Sequence, residues 1–196
     1  MAYTKTVKRV VALGIVILGI AVLGYFAHQA FQPIAVVGGA EISGSTFRSY
    51  RSAFQSYART IAAANAEIGK TLQDVPQDVS DRAALEELIV QEIVRQELVG
   101  VYKNETTTKI NAAIDRDMAG KDSAGIATAA ERVYGLKSED FRNIILVPMT
   151  REKLLRDYIS GLGQNYNDWI MEREKAAMVT FPSGKYEWRE GKVVEK

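Results

Sequence analysis

The sequence predicts a mainly α fold: one helical domain with a small antiparallel sheet joining N- and C-terminal hairpins, plus one N-terminal transmembrane helix. Three observations carry this. Val10 to Phe26, VVALGIVILGIAVLGYF, has no charged residue. Apolar residues then recur at helical spacing through most of the chain from Phe47 onward. Short β-type runs lie at both ends of that helical part, IAVVGGAEIS early and MVTF with YEW late.

The uncharged run would be about 25 Å long as a helix, close to the thickness of a bilayer core. Lys5, Lys8 and Arg9 precede it, and the next basic residue is Arg48. The positive-inside rule therefore places residues 1–9 in the cytoplasm, 10–30 as anchor and interface, and 31–196 outside. An uncleaved anchor is favoured over a signal peptide, because cutting after Ala30 would put His28 at the −3 position. The expected localisation is the inner cell membrane, single-pass, with an extracytoplasmic domain. The 196 residues are 47% hydrophobic and 25% charged, which suits a globular domain. The net charge of +1 argues against a nucleic-acid surface. There is no cysteine, so disulfides and thiol catalysis are excluded.

After the anchor, Gly38-Gly39 suits a two-residue hairpin turn in which both positions need φ > 0. Such a hairpin is marginal alone, so another strand must cover it. Ser43 or Ser45 can cap the next helix, in which Phe47, Tyr50, Phe54, Tyr57 and Ile61 fall on one stripe. LQDVPQDVS reads as a linker. Ser80 is the expected cap of a second helix, RAALEELIVQEIVRQELVGVY. Its apolar face, Leu85, Leu88, Ile89, Ile93 and Leu98, is widened by Val90, Val94 and Val101, as for a central helix touched on several sides.

Thr106 to Met118 is a shorter helix, and GIATAAERVY is another, ending at Gly135. Ser138 is the expected cap of SEDFRNIILVPMTREKLLRDYIS, where Pro148 predicts a kink or a break. SGLGQNYN is a loop and DWIMEREKAAM the last helix. MVTF, a Pro-Ser-Gly-Lys turn and YEW read as a second hairpin, completing the sheet. Val36 should then pair with the Met178–Phe181 segment.

Catalytic, metal and cofactor residues are expected to be none. The single histidine, His28, sits at the membrane edge, and no phosphate-loop, dinucleotide or nucleophile-elbow motif occurs. Glu86–Glu87 and Asp115–Asp117 read as solvated helix faces rather than acid/base pairs. The aromatic stripe has two readings. Core packing is favoured; the other is a partly open apolar crevice offering adaptable contacts to peptides. The same two readings apply to Met149 and Met171.

IAVVGGAEISGSTF, LEELIVQEIVRQELV and YGLKSEDFRNIILVPMTREKLLRDYI, in that order, resemble segments of the SurA, PrsA and PpiD chaperones. Gly38-Gly39 stands where that family usually has Asn-Gly. The resemblance spans roughly Ile34 to Phe181 and implies a helical chaperone module whose terminal segments meet. In the family a parvulin prolyl-isomerase domain is typically inserted where this chain has SGLGQNYN, so no isomerase activity is expected. The implied function is a membrane-anchored, ATP-independent holdase that binds unfolded exported polypeptides in an apolar helical cradle. A structural subunit of an envelope complex with one fixed partner is the alternative. Candidate client contacts are Phe47, Tyr50, Phe54, Tyr57 and Met149. The expected partners are unfolded or nascent exported proteins, the membrane through the N-terminal helix, and the translocon as a neighbour.

Overall fold

The computed structural model describes residues 32–65 and 76–196. The expected cytoplasmic segment 1–9 and anchor 10–30 lie outside the described residues. Among the described residues, no helix is long and apolar enough to cross a membrane. The longest, Gln77–Tyr102, has sufficient length but carries Glu86, Glu87, Glu92, Arg95 and Glu97, charges too costly for hydrocarbon. The fold class is corrected to a mainly helical fold with small antiparallel sheets. The single-pass inner-membrane localisation, the membrane and translocon partners, and the anchored holdase of exported chains have no spanning helix among the described residues to support them.

Strands β1 (Pro33–Val37) and β2 (Ala40–Ser43) form the early hairpin. Gly38 and Gly39 turn it at φ 55° and 88°, the sign that glycine adopts without steric cost. Gly38 is also pressed against the second helix: a Cβ there would lie 2.7 Å from Gln96 Oε1. Gln96 Nε2 donates to the Val37 carbonyl at 2.7 Å, pinning the hairpin on that helix. Strand β3 (Val179–Thr180) lies on the free side of β1, with Val36 opposite Thr180 and Val37 opposite Val179. The Gly38 N–H extends the pairing to the Met178 carbonyl at 2.9 Å. The two ends of the domain thus close one three-stranded sheet in the order β2-β1-β3.

The late hairpin differs from the expected one. YEW does not pair with MVTF. It belongs to β4 (Tyr186–Arg189), which pairs with β5 (Lys192–Glu195) as a separate two-stranded sheet. Glu190 and Gly191 make the turn at φ 52° and 80°, the two positive values that a two-residue hairpin loop demands. The β5 edge is capped rather than open, since the Val193 N–H donates to Glu86 Oε1 at 2.9 Å.

Helix α1 (Gly44–Ala64) is capped by Ser43, whose hydroxyl accepts from the Thr46 N–H at 3.0 Å. Helix α2 (Gln77–Tyr102) starts directly after Pro76 without a side-chain cap, so the expected start at Ser80 is corrected. A 3-10 turn leads into α3 (Thr106–Met118), and α4 (Ser123–Tyr134) ends at Gly135 with φ 66°. Lys137, not Ser138, precedes α5 (Ser138–Phe141), which offers no side-chain cap bond. A π turn, Arg142–Leu146, links it to α6 (Val147–Gly161). Pro148 has no N–H to give the preceding turn, and the Val147 N–H reaches back five residues to the Arg142 carbonyl. The chain therefore widens ahead of Pro148 instead of breaking. Asn165 caps α7 (Tyr166–Ala176) by accepting from the N–H groups of Asn167 and Asp168 at 2.8 and 3.3 Å. The last helix thus starts two residues before the expected Asp168.

Helix α2 is the spine of two apolar cores. Leu85, Leu88, Ile89 and Ile93 pack with Val37, Ile42, Phe47, Phe181 and Val193 on the sheet side. Val94 and Leu98 pack with Ile110, Ile114, Leu155, Ile159 and Tyr166 on the helical side. Ile170 of α7 touches both. Burial of these side chains contributes on the order of 1.5–3 kcal/mol each before conformational entropy is counted.

Candidate functional site

An open cleft of about 400 Å³ lies beside α2. Val90 and Val94 of α2 and Ile170 of α7 form its apolar base. Ile144 and Ile145 of the π turn, with Pro148 and Met149 at the start of α6, add apolar lining. Tyr50 of α1 and Tyr134 of α4 close one end, and Tyr166 and Asn167 line the start of α7. The π turn matters here because its extra residue per turn changes which side chains a helix presents.

The charged lining is mostly acidic. Glu87, Glu152 and Glu174 all reach the cleft, and Arg156 is its one basic residue. Arg156 is already engaged. It pairs with Glu152 one turn earlier and stacks over the Tyr166 ring at 4.6 Å. Glu87 accepts from the Gln91 side chain at 2.9 Å. Glu174 is anchored through its backbone, whose carbonyl accepts from Trp188 Nε1 at 2.8 Å.

Titration follows this geometry. Burial, with help from Glu87, pushes the Tyr50 phenol well above the ordinary tyrosine range. Burial and then the Glu152 charge push Tyr166 up to about 12. Burial also raises the Glu174 carboxyl; Lys192 opposes this, while Glu86 and Glu87 add to it. Each shift favours the neutral form, as desolvation of a partly dry surface dictates.

The expected contact residues are divided by the fold. Phe47 is buried in the sheet-side core, with the Arg51 guanidinium 5.8 Å over its ring. Tyr50 and Met149 line the cleft, and Met149 is 63% exposed at its mouth. Phe54 and Tyr57 are exposed and lie outside the cleft lining. Tyr57 instead stacks on Tyr134, ring centroids 5.4 Å apart and 9° from parallel. Met171 is exposed and also lies outside the lining. The stripe at helical spacing therefore serves core, cleft and an interhelix stack in turn.

Of the acidic pairs read as solvated helix faces, Glu87 and Asp115 are exposed, while Glu86 and Asp117 make tertiary contacts. Glu86 holds the β5 edge and sits 3.9 Å from Lys192, and Glu87 lines the cleft. Asp117 ties α3 to α6 through Lys153 at 2.9 Å. Among the described residues, no group of three or more His, Cys, Asp and Glu side chains is placed to hold a metal ion. Sequence reasoning missed Ile144, Ile145 and Ile170 as lining residues. The available signals were the excess width of the α2 face at Val90 and Val94 and the proline inside a helical pattern.

Comparison with protein-family models, with curated proteins and with solved structures finds no match for this chain.

Proposed function

We propose that the described domain is a non-catalytic binding module that takes a short polypeptide segment in the cleft beside α2. The observation that carries this reading is the cleft's composition: an apolar base, an exposed methionine at the mouth and polar groups along the sides. Its volume of about 400 Å³ falls within the range of ligand clefts, roughly 300–1,000 Å³. Methionine and tyrosine give adaptable contact to side chains of varied shape. Gln91 and Asn167 offer amide donors and acceptors suited to a peptide backbone. The resemblance of the chain's element order to SurA-type chaperones supports the same ligand class. Neither the membrane nor export enters this reading.

The test fills the cleft. Val90→Trp and Met149→Asp should each weaken binding of a mixed-sequence apolar peptide by about tenfold or more, as truncation or blocking at an interface centre does. Phe54→Asp, which is exposed outside the cleft, should leave affinity unchanged. Fluorescence anisotropy on the full chain reads all three. If Phe54→Asp weakens binding and Val90→Trp does not, the binding surface is the outer face of α1 and this reading is wrong.

A further inference from the structure

The cleft's charge is unbalanced in a way its own neighbours do not correct. Arg156, its one basic lining residue, is held by Glu152 and by the Tyr166 ring. Glu87 is met by a neutral amide, from Gln91. Glu174 is drawn toward Lys192, whose ammonium lies nearest Glu86. Among the described residues, no ion pair engages Glu87 or Glu174. The two carboxylates stand on different helices, α2 and α7, and line the same cleft as the apolar residues Val90, Val94 and Ile170. Glu87 and Glu174 both bear on the Tyr166 phenol, which lines the same cleft.

We infer that the occupant of the cleft is a basic-apolar polypeptide segment, with a lysine or arginine seated between Glu87 and Glu174 and neighbouring apolar side chains laid on Val90, Ile170 and Met149. This rests on the binding reading above and narrows it to one chemistry. The physical argument is complementarity. A cation entering here meets two carboxylates that no ion pair engages among the described residues, Glu87 exposed and Glu174 half-buried, and salt screens its attraction to them. An acidic segment would meet the same field as repulsion. A neutral apolar segment would leave both carboxylates partly desolvated and unpaired, which is costly.

Three labelled peptides of equal length and apolar content, carrying two lysines, two glutamines or two glutamates, discriminate these cases by anisotropy with the full chain. At low salt the lysine peptide should bind about tenfold tighter than the glutamine peptide, a difference of about 1.4 kcal/mol. The glutamate peptide should bind weakest. The lysine advantage should shrink as salt is raised, and it should vanish in the E87Q/E174Q double variant. Equal binding of lysine and glutamine peptides overturns the inference but leaves the cleft reading intact. So does an advantage that survives in the double variant, or one that 1 M salt leaves unchanged. The salt titration uses the unmodified protein, so it decides the matter even if the double variant does not fold. If none of the three peptides binds, both readings fall. A dimer that excludes all three equally in sedimentation makes a second copy the occupant and overturns the inference.

Discussion

The cleft has two unlike walls. The wall made by α2, α6 and α7 stands on both cores, and Leu85, Ile89, Leu98 and Leu155 are wholly buried behind it. The wall made by α1 and α4 has less behind it, since α1 reaches the sheet-side core only through Phe47 and Tyr50. Beyond Phe47, Ala53 is the one buried residue of α1, and Ala130 is that of α4. Between these two helices run the Tyr57–Tyr134 stack and a long hydrogen bond, 3.4 Å, from Thr60 Oγ1 to the Val133 carbonyl. Local stability follows buried apolar contact, so the first wall fixes the cleft's shape and the second is the side that yields. Breaking the first should destabilise the whole domain. Leu155→Ala removes a wholly buried side chain from the helical core and should cost about 3 kcal/mol. A drop in the urea midpoint with an unchanged m-value checks this. A loss below 1 kcal/mol would mean that the wall is softer than its packing implies.

Breaking the second wall should give a smaller and local effect. Tyr134 stacks on Tyr57 and meets Phe141 at 5.7 Å, which joins α4 to α5. Tyr134→Ala should cost about 1 kcal/mol. Its signature is spatial: amide exchange should rise in α1 beyond Phe54 and in α4, while α2 and α6 keep their protection. Uniform loss of protection across all four helices would show that the walls unfold together, and the contrast drawn between them would fail.

The same division explains what was legible in the sequence. The stable wall was readable because its signals are local or periodic. The α2 face and the Thr106–Met118 helix that shares its helical core follow from apolar spacing. The pairing of Val36 with Thr180 was readable from the insufficiency of a lone hairpin. The last strand, KVVE, was not read, because its turn places a non-glycine, Glu190, at positive φ. The cleft was legible only in part. Spacing put Phe47 to Tyr57 on one stripe, but a helix that packs at one end and separates at the other gives its stripe several environments. The acidic lining was invisible for a related reason. Glu87 and Glu174 are 87 positions apart in sequence and meet only because α7 returns across α2.

Glu174 offers the smallest test of the contrast, because it sits where the stable wall meets the C-terminal hairpin. Trp188 and Lys192 of that hairpin bear on it, as do Glu86 and Glu87 of α2. Its carboxyl is raised, chiefly by burial. A raised carboxyl binds its proton more tightly when folded, so its contribution to stability is full below the ordinary value of 4.5 and is lost as pH climbs through the folded value. Solvent reaches this residue, which keeps the effect well below that of Leu155→Ala. In urea titrations the wild type should lose stability relative to Glu174→Gln as pH rises from 4 to 7, with no further change above. A variant that instead loses ground to the wild type over that interval would show that the ionised carboxylate is held by Lys192 more strongly than burial opposes it. Glu174 would then already be matched, and the cleft would have one free carboxylate rather than two.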